Sequence, residues 1–184
     1  MRRLAAGVMV FGALMAAPSV ARADGFIAPF VGVNFGGDTT KNSTPFGGSI
    51  GFLGHSAGIE ADFGYTPSFF GDTPTIHVND GKVATIMGNL LIGGRHHGAS
   101  PYIALGAGLI RTNLTGLKDA IDISETKNNW GGNIGGGLFI GSGPVTFRGD
   151  IRYFKSFDTT GDFPEITGDK LGFWRATVGV GFMW

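Results

Sequence analysis

The chain has 184 residues, with 14 basic and 14 acidic side chains, no cysteine and 34 glycines. That length suits one ordinary domain, the even charge balance argues against nucleic acid as a partner, and the missing cysteine excludes both a disulfide framework and a lipid-anchored N-terminus. Glycine well above the usual fraction of roughly 7%, set among Ile, Val and Phe and outside any collagen period, points to strands in a closely approached or tightly curved sheet.

Residues 1–23 read as an export signal. Arg2 and Arg3 precede an apolar run from Leu4 to Ala17, followed by Pro18 and the small-residue site Ala21-Arg22-Ala23. The run is shorter than the roughly 20 apolar residues that span a bilayer, so cleavage is expected and the mature domain is 24–184. Loss of Arg2, Arg3 and Arg22 leaves that domain mildly acidic.

From Phe26 onward the sequence falls into eight runs of period two. They are Phe26 to Phe35, Phe46 to Leu53, Gly58 to Thr66, Val83 to Ile92, Tyr102 to Ile110, Asn129 to Ile140, Val145 to Phe154 and Phe173 to Trp184. Most approach the about 9 to 11 residues of a tilted membrane strand. The segments between them alternate long and short, with long loops expected at Gly36 to Pro45, Pro67 to Lys82, Arg111 to Asn128 and Lys155 to Lys170. Short periplasmic turns and long extracellular loops are the rhythm of an outer-membrane barrel, and an even strand count puts both termini in the periplasm.

Charge supports that reading. One parity of each run is free of charge, carrying such residues as Ile27, Val31, Ile50, Phe63, Leu90, Leu105, Ile134, Phe147 and Val178. Every charge within the runs, namely Glu60, Asp62, Arg148, Asp150, Arg152 and Arg175, falls on the other parity. A lysine or arginine facing mid-bilayer lipid costs about 2 to 4 kcal/mol, which enforces such a division. The expected fold is therefore all-β, an eight-stranded antiparallel up-and-down transmembrane β-barrel. Phe35, Phe46, Tyr65, Trp130, Tyr153 and Trp174 fall at extracellular strand ends, and Phe52 and Trp184 at the periplasmic side, as two interfacial girdles. A soluble barrel of the lipocalin or avidin kind would reverse the faces but gives no reason for paired girdles.

The last run sharpens the assignment. Thr177, Gly179, Phe182 and Trp184 resemble the C-terminal signal by which the barrel-assembly machinery reads outer-membrane proteins. With the export signal, the eight runs and segments such as Pro101-Tyr102-Ile103-Ala104-Leu105-Gly106-Ala107-Gly108 and Arg148-Gly149-Asp150-Ile151-Arg152-Tyr153, the chain resembles the small outer-membrane β-barrel family of OmpA, OmpX and OmpW type. The resemblance implies a fold and a compartment rather than an activity. Its OmpW branch would imply an apolar mouth for a hydrophobic solute.

The inward charges form a lumen network that reads as a charge-paired plug, or alternatively as the lining of a narrow, porin-like solute path. His77 is expected on the far side of the membrane from His55, His96 and His97, so the histidines make no common metal site. His55-Ser56 with Glu60 is the one cluster suggesting catalysis, and it lies at the periplasmic end. Phe69 and Phe70 are expected as interfacial anchors, or as an apolar mouth or adhesive patch. The expected role is structural or interactive through four extracellular loops, without catalysis or cofactor. A narrow channel for small or hydrophobic solutes is the alternative, and a lipid-modifying enzyme the second. Expected partners are outer-membrane lipid and lipopolysaccharide, and the assembly machinery during biogenesis, with the chain a monomer.

Overall fold

The computed structural model describes residues 24–39, 43–67, 69, 78–93, 98–118, 121–141, 143–157 and 171–184, with the side chains of 78–80, 114–118 and 121–127 left aside. The described residues form eight strands: β1 (Asp24–Phe35), β2 (Phe46–Leu53), β3 (Ala57–Thr66), β4 (Val78–Gly93), β5 (Gly98–Lys118), β6 (Ile121–Gly141), β7 (Val145–Ser156) and β8 (Gly172–Met183). Each pairs antiparallel with its neighbours in sequence, and β8 pairs with β1 to close the barrel. The seam runs from Phe35 opposite Trp174 to Phe26 opposite Met183. Beyond it Gly25 and Trp184 exchange two backbone hydrogen bonds of 3.1 Å, so the last residue also belongs to the closure. No strand of the barrel is left with an open edge at the seam, which is what closure achieves.

The alternation in sequence becomes an alternation of environments. Outward residues such as Ile27, Val31, Phe63, Leu105, Phe147 and Val178 are exposed, while the intervening side chains are buried in the lumen. Glycines on the lumen parity make this filling possible. A β-carbon at Gly64 would stand 2.4 Å from Arg175 Nη1, and one at Gly137 would stand 2.3 Å from the Tyr102 hydroxyl. At these two positions glycine makes room for large side chains in a narrow barrel, while at others, such as Gly47 and Gly108, an added β-carbon would meet a carbonyl oxygen of the neighbouring strand.

The lumen is layered. At the end that carries Asp24 and Trp184, Phe26, Ala28, Leu53, Leu91, Tyr102, Ala104, Phe139 and Met183 form one buried apolar cluster. At the opposite end Phe69, Val83, Met87, Ile110, Phe154 and Phe173 form a second, with Leu171 packed against it. A polar and ionic belt lies between them. The Phe69 N–H donates to the Gly81 carbonyl at 2.7 Å, and its ring meets Phe173 at 4.9 Å. Phe69 is therefore neither an interfacial anchor nor part of an apolar mouth, as its sequence position suggested, but a buried member of the second apolar cluster. Burying a phenylalanine is worth about 1.5–3 kcal/mol, and the second cluster offers it a ready apolar seat. Phe70 lies outside the described residues.

The expected loop Arg111 to Asn128 is also corrected. β5 and β6 run on as a ladder from Arg111 opposite Asn128 to Lys118 opposite Ile121, and β4 joins them with Lys82 opposite Asn113. Each of the two long strands has 21 residues, about twice what a tilted membrane crossing uses. Beyond the bilayer no lipid enforces an apolar parity, so the extension carries no alternation signal. Backbone pairing to both neighbours is what the structure shows there.

Candidate functional site in the barrel lumen

The belt is built by three strands. β3 supplies Glu60 and Asp62, β7 supplies Arg148, Asp150 and Arg152, and β8 supplies Arg175. All six are buried, at 0–8% exposure, and their formal charges cancel. They form two groups. In the larger one Glu60 crosses the lumen to meet Arg148 Nη2 at 2.5 Å and Arg152 Nη1 at 2.8 Å. Asp150 is held along its own strand by Arg152, whose Nε donates to Oδ1 at 2.7 Å and whose Nη2 donates to Oδ2 at 2.8 Å. In the smaller group Arg175 Nη2 meets Asp62 Oδ1 at 2.6 Å, and its Nη1 donates to the Thr85 hydroxyl at 3.3 Å.

Neutral residues complete the larger group. The Tyr102 hydroxyl donates to Asp150 Oδ2 at 2.6 Å and accepts from Arg148 Nε at 2.7 Å. Arg148 Nη1 also donates to the Ser49 hydroxyl. Asn89 Nδ2 donates to Glu60 Oε1 at 2.9 Å, and Asn133 Nδ2 donates to Asn89 Oδ1 at 2.8 Å. Sequence reasoning named the charges and missed these partners. Their parity was legible, since Tyr102 precedes the outward Ile103 and Asn89 precedes the outward Leu90, but parity gives a face and not a neighbour.

The arginines join the belt to the apolar layers. The Arg148 guanidinium lies 5.0 Å from the Phe139 ring centroid and 5.2 Å from that of Tyr102, while Arg175 lies 4.4 Å from Phe154 and 5.0 Å from Phe30. A flat, weakly hydrated cation can stack on a ring with one face and keep its in-plane donors for carboxylates. Arg152 and Arg175 face each other in the β7–β8 ladder. Such a like-charged pair is unfavourable by itself, and Glu60, Asp150 and Asp62 offset it.

The other candidate residues lie on the wall or the rim. Thr177 is buried opposite Asp150 on β7 and Gly32 on β1. Gly179 is bare where a β-carbon would stand 2.3 Å from the Pro29 carbonyl oxygen. Phe182 and Trp184 are exposed, and the Trp184 indole lies over Gly25. At the end opposite Asp24 and Trp184, Trp174 contacts Tyr153 at 5.2 Å and stacks with Phe35 at 6.5 Å, and Phe46 meets Tyr65 edge to face at 5.4 Å. Trp130 is 60% exposed on β6. His55 and Ser56 are exposed in the turn after β2, whereas Glu60 is buried and committed to two arginines, so the suggested catalytic cluster does not converge. His77, His96 and His97 lie outside the described residues, among which there is no group of acids and histidines that could hold a metal ion.

The family described as the outer membrane protein beta-barrel domain matches residues 4–184. No curated protein matches the sequence. Among solved structures the barrel is similar to Neisserial surface protein A, with a TM-score of 0.63 and 13% identity over 88% of this chain and 97% of that one. It is also similar to the N-terminal β-barrel domain of Pseudomonas aeruginosa OprF, with a TM-score of 0.52 and 21% identity over 89% and 99% of the two chains. Outer membrane protein H of P. aeruginosa gives a TM-score of 0.56 and 14% identity over 88% and 100%. At these identities the likeness is one of fold.

Proposed function

Because the chain belongs to the outer membrane protein beta-barrel domain family, we propose that it is a closed, non-conducting and non-catalytic barrel of the outer membrane, whose role is structural or interactive at the cell surface. One observation carries this reading. The lumen is filled by two apolar layers with a charge-balanced belt between them, and the belt's carboxylates are taken up by its own arginines. A solute path needs groups that can exchange their partners for a passing ion, and groups already paired and stacked offer none. The ladder beyond the bilayer, formed by β4, β5 and β6, is then the element that meets other molecules, together with the loops on the same side.

In this reading residues 1–23 are removed on export, both termini face the periplasm, and the chain works as a monomer. Its surroundings are outer-membrane lipid and lipopolysaccharide. Thr177, Gly179, Phe182 and Trp184 are read by the assembly machinery, and the rim aromatics Phe35, Phe46, Tyr65, Trp130, Tyr153 and Trp174 sit at the lipid headgroups. The test is reconstitution in planar bilayers. Purified protein is expected to give no steady conductance. Steady ohmic currents whose ion selectivity changes when Arg148 or Asp150 is replaced would establish the narrow channel instead.

A further inference from the structure

Around the rim opposite Asp24 and Trp184, the outward wall changes character. On β8, β1, β2 and β3 the outward series closes on the rings of Trp174, Phe35, Phe46 and Tyr65. Asp38, the acid described beside this arc, is engaged with Gly172, whose N–H donates to its Oδ2 at 2.7 Å. On three strands of the other arc the series gives way to a cation: Lys82 beyond Ala84, Arg111 beyond Leu109 and Lys155 beyond Tyr153. Among the described side chains these are the only charges on the outward wall of the strands.

Two of the three flank a common centre. Arg111 pairs across from Asn128 and Lys155 across from Gly132, the outward positions on either side of Trp130 on β6. Phe157 joins Trp130 through an N–H donated to its carbonyl at 2.7 Å. Gly132 leaves room for the Phe157 ring, since a β-carbon there would stand 2.8 Å from Phe157 Cζ. Arg111, Trp130, Phe157 and Lys155 are all exposed and span three adjacent strands.

We propose that this patch binds a phosphorylated glycolipid of the outer leaflet, with Arg111 and Lys155 taking separate phosphates and the two rings lying against the region where sugar meets acyl chain. Below the patch the wall is continuous apolar surface, with Leu109, Ile134 and Ile151 exposed, so the occupant must carry chains beneath its anionic groups. Each cation stands one outward step past the end of its apolar series, where hydrocarbon gives way to headgroups. The two cations are two strands apart, about 10 Å laterally, and are offset by four residues along β6, about 13 Å, so roughly 16 Å separates their positions, which suits two phosphates and not one. Charges serving only solubility would have no reason to leave the aromatic arc bare. The site rests on the orientation proposed above, which puts this rim in the outer leaflet.

The test places the mature protein in phosphatidylcholine nanodiscs with bis-phosphorylated lipid A, and counts retained lipid by native mass spectrometry. Each cation near an anionic surface contributes about fivefold, so Arg111→Gln and Lys155→Gln should each lower retention by about that factor, and the pair by about 25-fold. The charge-preserving pair Arg111→Lys with Lys155→Arg should retain lipid like the parent, which separates loss of charge from loss of fold. Undiminished binding by the neutralised pair, or equal retention of dephosphorylated lipid A or of phosphatidylglycerol, would overturn the site. Labelling of Thr44→Cys, an exposed position just before β2 on the same rim, by an impermeant reagent on intact cells reads the orientation separately: no labelling would sink the orientation, and with it the outer leaflet as the source of the lipid, while the retention assay tests the patch itself.

Discussion

Glu60 and Asp62 are successive lumen residues of β3, and each holds arginine from the β7–β8 wall, yet their surroundings differ. Glu60 is shared by Arg148 and Arg152, and both of those arginines also touch Asp150. Among the described residues Asp62 pairs with Arg175 alone, and Arg175 has Asp62, the Thr85 hydroxyl and the rings of Phe30 and Phe154. The larger group is redundant, since any one member can leave and its partners keep an opposite charge. The smaller group has a single ion pair between two walls. A buried pair is weak evidence for stability when both partners are compared with apolar residues, but breaking it from one side strands a charge.

The largest effect is therefore expected at Asp62→Ala, which leaves the Arg175 guanidinium buried without a carboxylate. It should cost about 3–5 kcal/mol, read from the urea midpoint of the barrel in detergent micelles. Asp62→Ala combined with Arg175→Met should recover a good part of that loss, because no charge is left to strand. If the double change costs as much as the two single changes together, the pair acts through packing and not through charge.

Glu60→Gln comes next, at about 1–3 kcal/mol, although it touches more ion pairs than Asp62 does. The glutamine keeps the shape and one acceptor, and Arg148 and Arg152 both retain Asp150. A loss as large as that of Asp62→Ala would mean that Asp150 cannot serve two arginines, and the contrast between the groups would fail.

How far the sequence revealed this architecture depended on what each surface faces. The lipid-facing wall was legible because a single solvent acts on every strand: Ile27, Phe63, Leu105 and Phe147 repeat one requirement. The belt was half legible. Charges on the wrong parity for lipid, such as Arg148 and Asp150, had to point inward, yet nothing in spacing says that Glu60 meets Arg148 across the lumen, because that contact depends on barrel diameter and strand stagger. The apolar layers were hidden for a related reason. Parity places Phe139, Phe154 and Phe173 on the inward face, but it does not say which rings meet across the lumen or that they gather into layers on either side of the charges. Phe69 was misread because nothing in spacing pairs it with Gly81 or Phe173. The ladder from Arg111 to Lys118 escaped notice because its pairing lies in the backbone and its sequence carries no alternation to mark it.

Tyr102 tests whether the redundancy extends to the neutral members of the larger group. Its hydroxyl stands between Arg148 and Asp150, and its ring belongs to the apolar layer beside Phe139, at 5.5 Å between centroids. Tyr102→Phe removes the bridge and keeps the ring. Arg148 Nε then loses its acceptor and Asp150 Oδ2 loses one donor, but Arg148 keeps Glu60 and Ser49, and Asp150 keeps Arg152. The expected cost is about 1 kcal/mol, below that of Glu60→Gln, because each freed group retains charged neighbours that share its burial. A loss exceeding that of Glu60→Gln in the same urea titration would place the phenol at the centre of the network. The redundancy would then belong to Tyr102, as the group that couples Arg148 to Asp150, and not to the carboxylates.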